Sequence, residues 1–300
     1  MTRRHFIPFL FQNRTNFRLR FPDIGWVPPD LVVPGIKQGD PAPGARVRIG
    51  GPGPYHILFL PEDWKRGASF PLIVEYPGNG PGPFNTHPPG VSVESGTPED
   101  TVLGYGLSGG REFLWLSLPF LENNKVAPTW FGNVEETVDY CRRAVEVTCS
   151  QFGGDRQRVL LCGFSRGSLA CNYIGLHDDA IAKLWRGFFC HSHYDGVHRW
   201  PYPASDRDSA LLRLQRLGGR PQFISHEKSG NEEGWVSVGH PQPQYVGSIE
   251  ETRRYLEAAG TGGDFTFETL PYPNHKDAWI LRPVFLRTRV RAWARRVLSG

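Results

Sequence analysis

Short apolar runs alternate with segments of helical periodicity through most of this 300-residue chain, and this alternation constrains its fold more than any other feature. The apolar runs occupy residues 70–76, 113–121, 158–163, 185–190, 221–225 and 265–270. The helical segments begin near residues 134, 168, 210, 249 and 286. Uninterrupted apolar strands are typical of parallel sheets that are buried on both faces. The pattern therefore predicts the α/β class, with a mostly parallel central sheet and helices on both faces.

Two parts of the chain depart from this alternation. Residues 46–49 and 55–60 are β-rich runs separated by Gly-Gly-Pro-Gly-Pro, which is typical of a hairpin. Residues 1–44 are rich in proline and glycine and show little periodicity, so we expect an irregular N-terminal arm packed on the domain. Because no linker or repeat follows the arm, residues 45–300 are predicted to form one domain.

Charge and hydropathy exclude two classes of partner. The chain has 34 basic and 30 acidic residues, and much of the excess positive charge lies in residues 282–296, a predicted helix with one apolar stripe. Such a helix is typical of a solvated outer face, and no nucleic-acid-binding motif accompanies it. No run approaches the roughly 18 apolar residues of a membrane-spanning helix. We expect neither a nucleic-acid nor a membrane partner, and the sequence leaves the oligomeric state open.

The N-terminus and the cysteines bear on the cellular compartment. The first residues are basic, but their apolar stretch is short and broken by Pro8, which makes it a poor secretory signal. The five cysteines lie in predicted core segments, and none forms a Cys-x-x-Cys pair. The simplest interpretation is a reduced compartment with buried thiols, and one disulfide is the alternative. A cytoplasmic location is therefore expected, with secretion left open.

The pattern Gly-x-Ser-x-Gly occurs twice, at residues 106–110 and 163–167. A nucleophilic serine in this motif needs a strand before it and a helix after it, because it stands on a sharp bend at the edge of a sheet. Ser165 follows the apolar run at 158–163 and precedes a helical segment, whereas Ser108 follows no clear strand. The sequence therefore predicts Ser165 as a nucleophile and Ser108 as an ordinary loop serine.

A serine hydroxyl is a weak nucleophile until a base accepts its proton. In this arrangement the base comes from the loop after the last strand, and His275 lies in a proline-flanked loop just after the strand predicted at residues 265–270. Chain order and position favour His275 as the base over a plain surface-loop histidine.

The acid that orients the imidazole is the least defined member of the predicted triad. Asp195 lies a few residues past a predicted strand and precedes a glycine, which favours a loop at the sheet edge. Glu227 stands early after the apolar run at 221–225, whereas Glu232 and Glu233 stand late. We prefer Asp195, with Glu227 as the alternative.

Two backbone N–H groups are needed to stabilise a negatively charged tetrahedral intermediate. The first is expected from Arg166, the residue after the nucleophile. The second is expected from the loop at residues 77–80, whose glycines allow the backbone to turn inward, rather than from a turn with no such role. We favour the N–H of Asn79, with Gly80 as the alternative.

A His-x-His-x-Asp-x-x-His pattern covers residues 191–198 and contains residue types that bind metals. Because this segment is expected to border the serine, substrate hydrogen bonding or triad support by His191 and His193 is favoured, and no metal is predicted. The aromatic residues Trp200, Tyr202, Trp235 and Trp279 can line an acyl or sugar pocket, although such residues more often pack in a core or at its rim. Trp200 and Trp279 are the substrate-binding candidates among them.

Three segments of the chain, at residues 55–63, 70–80 and 155–167, together resemble the esterase branch of the α/β-hydrolase superfamily. That branch includes polyhydroxybutyrate depolymerases, feruloyl esterases and related carbohydrate esterases. The sequence departs from it in three places: Pro-Gly at 77–78 replaces His-Gly, Arg166 replaces a small residue, and the usual His-Gly-x-x-Asp after the seventh strand is absent. The resemblance implies an α/β-hydrolase catalytic domain over residues 45–300.

The expected function is hydrolysis of a carboxylic ester through an acyl-enzyme on Ser165, without metal or other cofactor. The resemblance implies a small-molecule, carbohydrate or polyester ester as substrate. Two alternatives remain open: a peptidase of the prolyl oligopeptidase type, and a catalytically silent binding protein on a hydrolase scaffold.

Overall fold

The computed structural model of the protein describes residues 24–80, 95–228, 248–272 and 274–299. Within these residues, nine strands form one sheet and two short strands form a separate hairpin. The strands are β1 (Ile36–Lys37), β2 (Arg46–Gly50), β3 (Tyr55–Phe59), β4 (Phe70–Tyr76), β5 (Leu114–Ser117), β6 (Leu121–Glu122), β7 (Lys125–Val126), β8 (Gly154–Phe164), β9 (Gly187–His191), β10 (Gln222–Glu227) and β11 (Phe265–Leu270). The helices are α1 (Leu103–Ser108), α2 (Val134–Phe152), α3 (Arg166–Tyr173), α4 (Asp179–Ala182), α5 (Arg207–Leu214), α6 (Ile249–Ala259) and α7 (Phe285–Leu298).

The sheet has the order β1-β2-β3-β5-β4-β8-β9-β10-β11. From β5 to β11 every neighbouring pair is parallel, whereas β3 is antiparallel to both β2 and β5. The predicted α/β class and mostly parallel sheet are therefore confirmed, as is the hairpin at the start of the domain. Because parallel strands end at the same edge of a sheet, the segments after β4, β8, β9, β10 and β11 come together there.

Helices cover both faces of the sheet, as the sequence predicts. Along β4, Leu72 and Val74 belong to an apolar cluster that includes residues of α2, α3, α5 and α6. Ile73, which points to the opposite face, belongs to a second cluster that includes residues of α1 and α7. This alternation follows from the two-residue period of side chains along a strand. The central strands are apolar throughout because both of their faces are buried.

Short-range capping explains where two of the longer helices begin and where one of them ends. Asn133 accepts a hydrogen bond from the backbone N–H of Glu136 and so caps the start of α2. Ser248 and Glu251 form a reciprocal capping box at the start of α6. Gly153, with a φ of 78°, ends α2 in the left-handed region that glycine adopts without steric cost.

Residues 24–44, the described part of the predicted arm, contact the domain at several points. The backbone N–H of Ile24 donates a hydrogen bond to Asn274 in the loop after β11. Asp30 forms an ion pair with Arg287 of α7, and β1 adds a short parallel pairing to β2. These contacts connect the arm both to the sheet and to α7.

The apolar stripe of α7 is buried as its sequence predicts, with Val290 and Trp293 in the core. The five cysteines are all buried free thiols, so the alternative of a disulfide is not realised. In the described ranges, we find no helix with the length and apolar character needed to cross a bilayer.

Candidate active site

Ser165 stands on a sharp turn between β8, which ends at Phe164, and α3, which begins at Arg166. Its backbone has a φ of 53° and a ψ of −115°, which is a strained conformation for a residue with a side chain. The backbone N–H of Ser165 donates to the carbonyl of His191 at the end of β9, over 3.0 Å. The bend predicted at this serine is therefore present, at the carboxyl edge of the sheet.

The two glycines of the motif are required by close backbone contacts. A Cβ at Gly163 would lie 2.2 Å from the carbonyl carbon of Gly167, and one at Gly167 would lie 2.1 Å from the carbonyl oxygen of Tyr76. Real Cβ atoms do not approach other atoms so closely. The first glycine therefore allows the tight turn, and the second lets the start of α3 approach the end of β4.

The imidazole of His275 lies beside the Ser165 hydroxyl, with 3.2 Å between Nε2 and Oγ. His275 belongs to the loop after β11, and its side chain is 41% exposed. Its ring packs against the ring of Phe164, with centroids 4.7 Å apart. The predicted proximity of these two residues, separated by 110 positions in sequence, is thus observed.

The other ring nitrogen of His275, Nδ1, lies 2.5 Å from Oε1 of Glu227. A carboxylate here makes Nδ1 the protonated nitrogen, which leaves Nε2 as the acceptor for the serine hydroxyl. Burial by itself would raise the pKa of the Glu227 carboxyl, but the neighbouring His275 outweighs burial and holds this pKa well below its usual range. Glu227 is therefore an ionised acceptor beside the imidazole.

The preference for Asp195 as the acid is contradicted by this geometry. The Asp195 carboxylate is fully buried and accepts two hydrogen bonds from the Arg213 guanidinium, at 2.9 and 3.1 Å. It also accepts a bond of 2.9 Å from the Tyr202 hydroxyl. Asp195 is directed toward α5 instead of His275, so it belongs to a buried ion pair.

The sequence places Glu227 early after its strand, whereas the strand itself is longer than the apolar run indicates. Strand β10 continues through His226 to Glu227, which pairs in register with Leu270, the last residue of β11. Glu227 thus lies at the carboxyl edge of the sheet, next to the strand whose following loop carries His275. The two polar residues His226 and Glu227 hide this extension from a pattern based on hydropathy.

Ser192 is a residue of the site that the sequence did not indicate. Its hydroxyl donates to Oε1 of Glu227 over 3.0 Å and lies 3.0 Å from Nδ1 of His275. Its φ of 87° is unusual for a residue other than glycine. The only available signal was its position directly after β9, at the edge where the other site residues converge.

Of the two predicted oxyanion residues, Arg166 directly follows Ser165, and Asn79 lies on the segment after β4, the strand that pairs with β8. Arg166 is the first residue of α3, and the first N–H groups of a helix point out from its N-terminal end. Asn79 follows β4, and its side-chain Oδ1 accepts a hydrogen bond of 2.8 Å from the backbone N–H of Trp130. The close approach of Gly167 to Tyr76 brings these two segments together.

His193 and Trp200, two of the substrate-binding candidates, form a row of rings that extends from His275. The ring of His193 has its centroid 5.2 Å from that of His275, and Trp200 packs 4.9 Å from His193 on the other side. Trp130 continues this aromatic surface, 5.9 Å from Trp200. Together Trp130, His193 and Trp200 form what we call the aromatic wall.

The other two candidates, His191 and Trp279, are core residues and not substrate contacts. Both are completely buried. The indole N–H of Trp279 donates to Nε2 of His191 over 2.8 Å, and Nδ1 of His191 lies 2.9 Å from the Ser225 hydroxyl. Burial lowers the pKa of His191 to about 4, which keeps the ring neutral at physiological pH. Both ring nitrogens of His191 thus have hydrogen-bond partners, on the side of the sheet where α7 packs.

The His-x-His-x-Asp-x-x-His pattern is dispersed by the fold. His191 contacts Trp279, Asp195 pairs with Arg213, and His198 lies 3.7 Å from Glu251. Across the residues that the structure describes, no group of three or more His, Cys, Asp or Glu side chains is arranged to hold a metal ion. Glu232, Glu233 and Trp235 lie outside the described residues.

Solved structures share this architecture. An esterase from Rhizomucor miehei is 12% identical, with a TM-score of 0.50 over 85% of this chain and 83% of the other. A sugar hydrolase from Lactococcus lactis is also 12% identical, with a TM-score of 0.51 over 85% and 98%. The chain has the α/β-hydrolase fold. An acylaminoacyl peptidase from Pyrococcus horikoshii, 11% identical, has a TM-score of 0.50 over 82% of this chain but only 40% of its own.

Identities this low establish the fold of the chain and not its reaction. The chain spans between 33% and 61% of the length of several larger solved structures to which it is similar. No protein-family profile matches the sequence. A comparison with curated proteins also finds no match.

Proposed function

We propose that the protein is a serine hydrolase that cleaves a carboxylic ester through an acyl-enzyme on Ser165. The observation that supports this proposal most directly is the contact chain from the Ser165 hydroxyl through His275 to Glu227. A nucleophile, a base and an orienting carboxylate in this order perform acyl transfer on several unrelated folds.

The first half-reaction forms the acyl-enzyme. Nε2 of His275 accepts the hydroxyl proton as Oγ of Ser165 attacks the ester carbonyl. The imidazolium that results is stabilised by the ionised Glu227, to which it donates from Nδ1. His275 then gives the proton to the departing alcohol. The backbone N–H groups of Arg166 and Asn79 are proposed to donate to the oxyanion during this step.

The second half-reaction releases the acid. Water takes the place of the alcohol, His275 accepts its proton, and the hydroxide attacks the acyl carbonyl. Collapse of the second tetrahedral intermediate returns the proton to Oγ of Ser165. No step requires a metal or a redox group, since every proton moves between His275 and the reacting oxygens.

The aromatic wall supports a role for His193 and Trp200 in substrate binding. Its rings extend from the face of His275 and offer an apolar surface to the acyl or alcohol group of the ester. Substitution of Trp200 by alanine is expected to raise KM more than it lowers kcat.

A fluorophosphonate probe and two substrates test the proposal. Stoichiometric labelling of the wild-type protein, lost in Ser165→Ala, is expected, together with hydrolysis of p-nitrophenyl acetate in excess over a proline peptide anilide. Faster cleavage of the anilide would favour a peptidase of the prolyl oligopeptidase type. A folded protein that resists the probe would instead favour a silent binding scaffold, and loss of activity with EDTA would contradict the metal-independent mechanism.

A further inference from the structure

We propose that the side chain of Arg166 is a positioning residue that holds the second oxyanion donor, the N–H of Asn79, in register with the first. This inference rests on the proposed function and deepens it, because it assigns a task to a side chain whose backbone N–H is the first donor. One residue would then govern both halves of the oxyanion hole.

The guanidinium of Arg166 is buried and contacts two loops. Its Nη2 donates to the carbonyl of Gly96 over 2.8 Å, and its Nη1 donates to the carbonyls of Trp130 and Ala127 over 2.5 and 3.2 Å. It also lies over the ring of Phe120, with Cζ 4.2 Å from the ring centroid. A single cation therefore ties the segments at residues 95–96 and 127–130 to the start of α3.

These same two segments hold the loop that carries Asn79. The backbone N–H of Gly80 donates to the carbonyl of Pro128 over 2.8 Å, and the N–H of Trp130 donates to Oδ1 of Asn79 over 2.8 Å. Residues 79 and 80 are thus hydrogen-bonded to the segment at residues 127–130. The carbonyls of Ala127 and Trp130 in that same segment accept from Arg166. The segment at residues 127–130 therefore lies between the guanidinium and the loop that carries Asn79, and it is hydrogen-bonded to both.

Close packing makes this arrangement sensitive to small displacements. A Cβ at Gly96 would lie 1.9 Å from the carbonyl oxygen of Pro128 and 2.5 Å from the nitrogen of Gly80. A Cβ at Gly80 would lie 2.3 Å from the carbonyl oxygen of Ser95. The three segments therefore contact one another through their backbones, and a shift in the segment at residues 127–130 moves Gly80 and Asn79 with it.

The requirement is for a guanidinium and not only for a positive charge. Three carbonyl oxygens in two segments accept from two nitrogens of Arg166, and a planar fork reaches them together. The ammonium of a lysine is a single point on a flexible stem and cannot span the same acceptors. Because oxyanion donors act only as charge develops, a displaced Asn79 N–H would lower kcat with little change in KM.

The test compares Arg166→Met and Arg166→Lys with Arg220→Met. Arg220 is a matched control, because it also donates to backbone carbonyls and lies over an aromatic ring, that of Phe188. It precedes β10 and so lies at the opposite edge of the sheet from Ser165. Two quantities are measured for each variant: kcat and KM with p-nitrophenyl acetate, and the inhibition constant of phenylboronic acid. The tetrahedral adduct of this acid with the serine places an oxygen in the oxyanion hole.

We expect kcat to fall about 100-fold in Arg166→Met and about tenfold in Arg166→Lys, with KM changed less than about threefold. The affinity for phenylboronic acid should fall in parallel with kcat. Arg220→Met should keep kcat and boronate affinity although its Tm falls. If Arg166→Met does not fold, the lysine variant decides the question.

Two outcomes separate this inference from the function on which it rests. A wild-type protein that reacts with esters, together with Arg166 variants that lose no more kcat than Arg220→Met, would overturn the inference alone. A wild-type protein that neither hydrolyses esters nor reacts with a fluorophosphonate would overturn the proposed function, and the inference with it.

Discussion

The two copies of Gly-x-Ser-x-Gly in this chain have very different surroundings. At residues 163–167 the serine stands on a strained turn between a strand and a helix, beside an imidazole. At residues 106–110 the serine is the last residue of α1 and is buried. There the Ser108 hydroxyl donates to the carbonyl of Tyr105 and accepts from the N–H of Gly110, so it caps a helix end.

The glycines of the two copies also serve different purposes. Gly163 and Gly167 contact backbone atoms, whereas Gly106 is opposed by the side chain of Ile280. Gly109 ends α1 with a φ of 65°, the ordinary left-handed cap of a helix. The comparison shows that the five-residue pattern gains meaning only from the elements on either side of it.

Removal of each serine hydroxyl gives the largest expected contrast. Ser165→Ala should lower kcat for p-nitrophenyl acetate by at least about 10⁴-fold, because no nucleophile remains to form the acyl-enzyme. Ser108→Ala should leave kcat unchanged and cost about 1 kcal/mol of stability, since it removes one buried capping interaction. Steady-state kinetics measure kcat, and urea denaturation measures stability. Equal kcat values in the two variants would contradict the assignment of Ser165, and not Ser108, as the nucleophile.

The next contrast is between the two buried carboxylates at this edge of the sheet, Glu227 beside His275 and Asp195 beside Arg213. Glu227→Gln should lower kcat by about 10³–10⁴-fold, because the amide no longer stabilises the imidazolium or the correct tautomer of His275. Asp195→Asn should leave kcat largely unchanged but destabilise the protein by about 3 kcal/mol, because Arg213 loses its buried counter-charge. The opposite ranking of kcat would restore Asp195 as the acid.

Alanine substitution of one glycine in each motif should separate backbone from side-chain crowding. Gly163→Ala is expected to cost about 3 kcal/mol, since its Cβ would meet the backbone of Gly167 and neither turn nor helix can yield. Gly109→Ala should cost only about 1–2 kcal/mol, because the nearest atom to its Cβ is at the end of the flexible Arg291 side chain, 3.3 Å away, and the main cost is the left-handed φ of 65° for alanine. Free energies of unfolding in urea measure the difference, and similar costs would mean that the turn at Ser165 tolerates expansion.

Acid should destabilise the protein through the buried imidazole of His191, the residue whose backbone carbonyl accepts from the Ser165 N–H. The pKa of His191 is about 4 in the folded protein and about 6.5 in the unfolded chain, so the unfolded chain binds the additional proton between these values. Stability is therefore lost as the pH falls from about 6.5 to 4, and this residue accounts for a loss of about 2 kcal/mol at pH 5.

Substitution of His191 isolates this contribution. His191→Gln removes one titrating group and should reduce the pH dependence of unfolding between pH 7 and 5, while the buried His56 and His193, whose pKa values burial also lowers, keep their shares. If the free energy of unfolding of this variant depends on pH as in the wild type, groups other than His191 cause the loss of stability in acid.

The amino-acid sequence alone was sufficient for the features that depend on neighbours along the chain. The alternation of apolar runs and helical segments predicts the parallel sheet because both are short-range periodicities. The position of Ser165 between a strand and a helix distinguishes it from Ser108, and chain order selects His275. Each of these inferences requires only elements that are adjacent in sequence or at the end of the chain.

Only the tertiary structure decided which acid meets His275, and what His191, Trp279 and the side chain of Arg166 do. Asp195 follows β9 and Glu227 is the last residue of β10, and both strands end at the same edge of the sheet. Strand register and the packing of α5 determine which of the two carboxylates faces His275. His191 and Trp279 have the composition of a binding site but point into the core. These distinctions arise from contacts between residues far apart in sequence, and no local pattern records them.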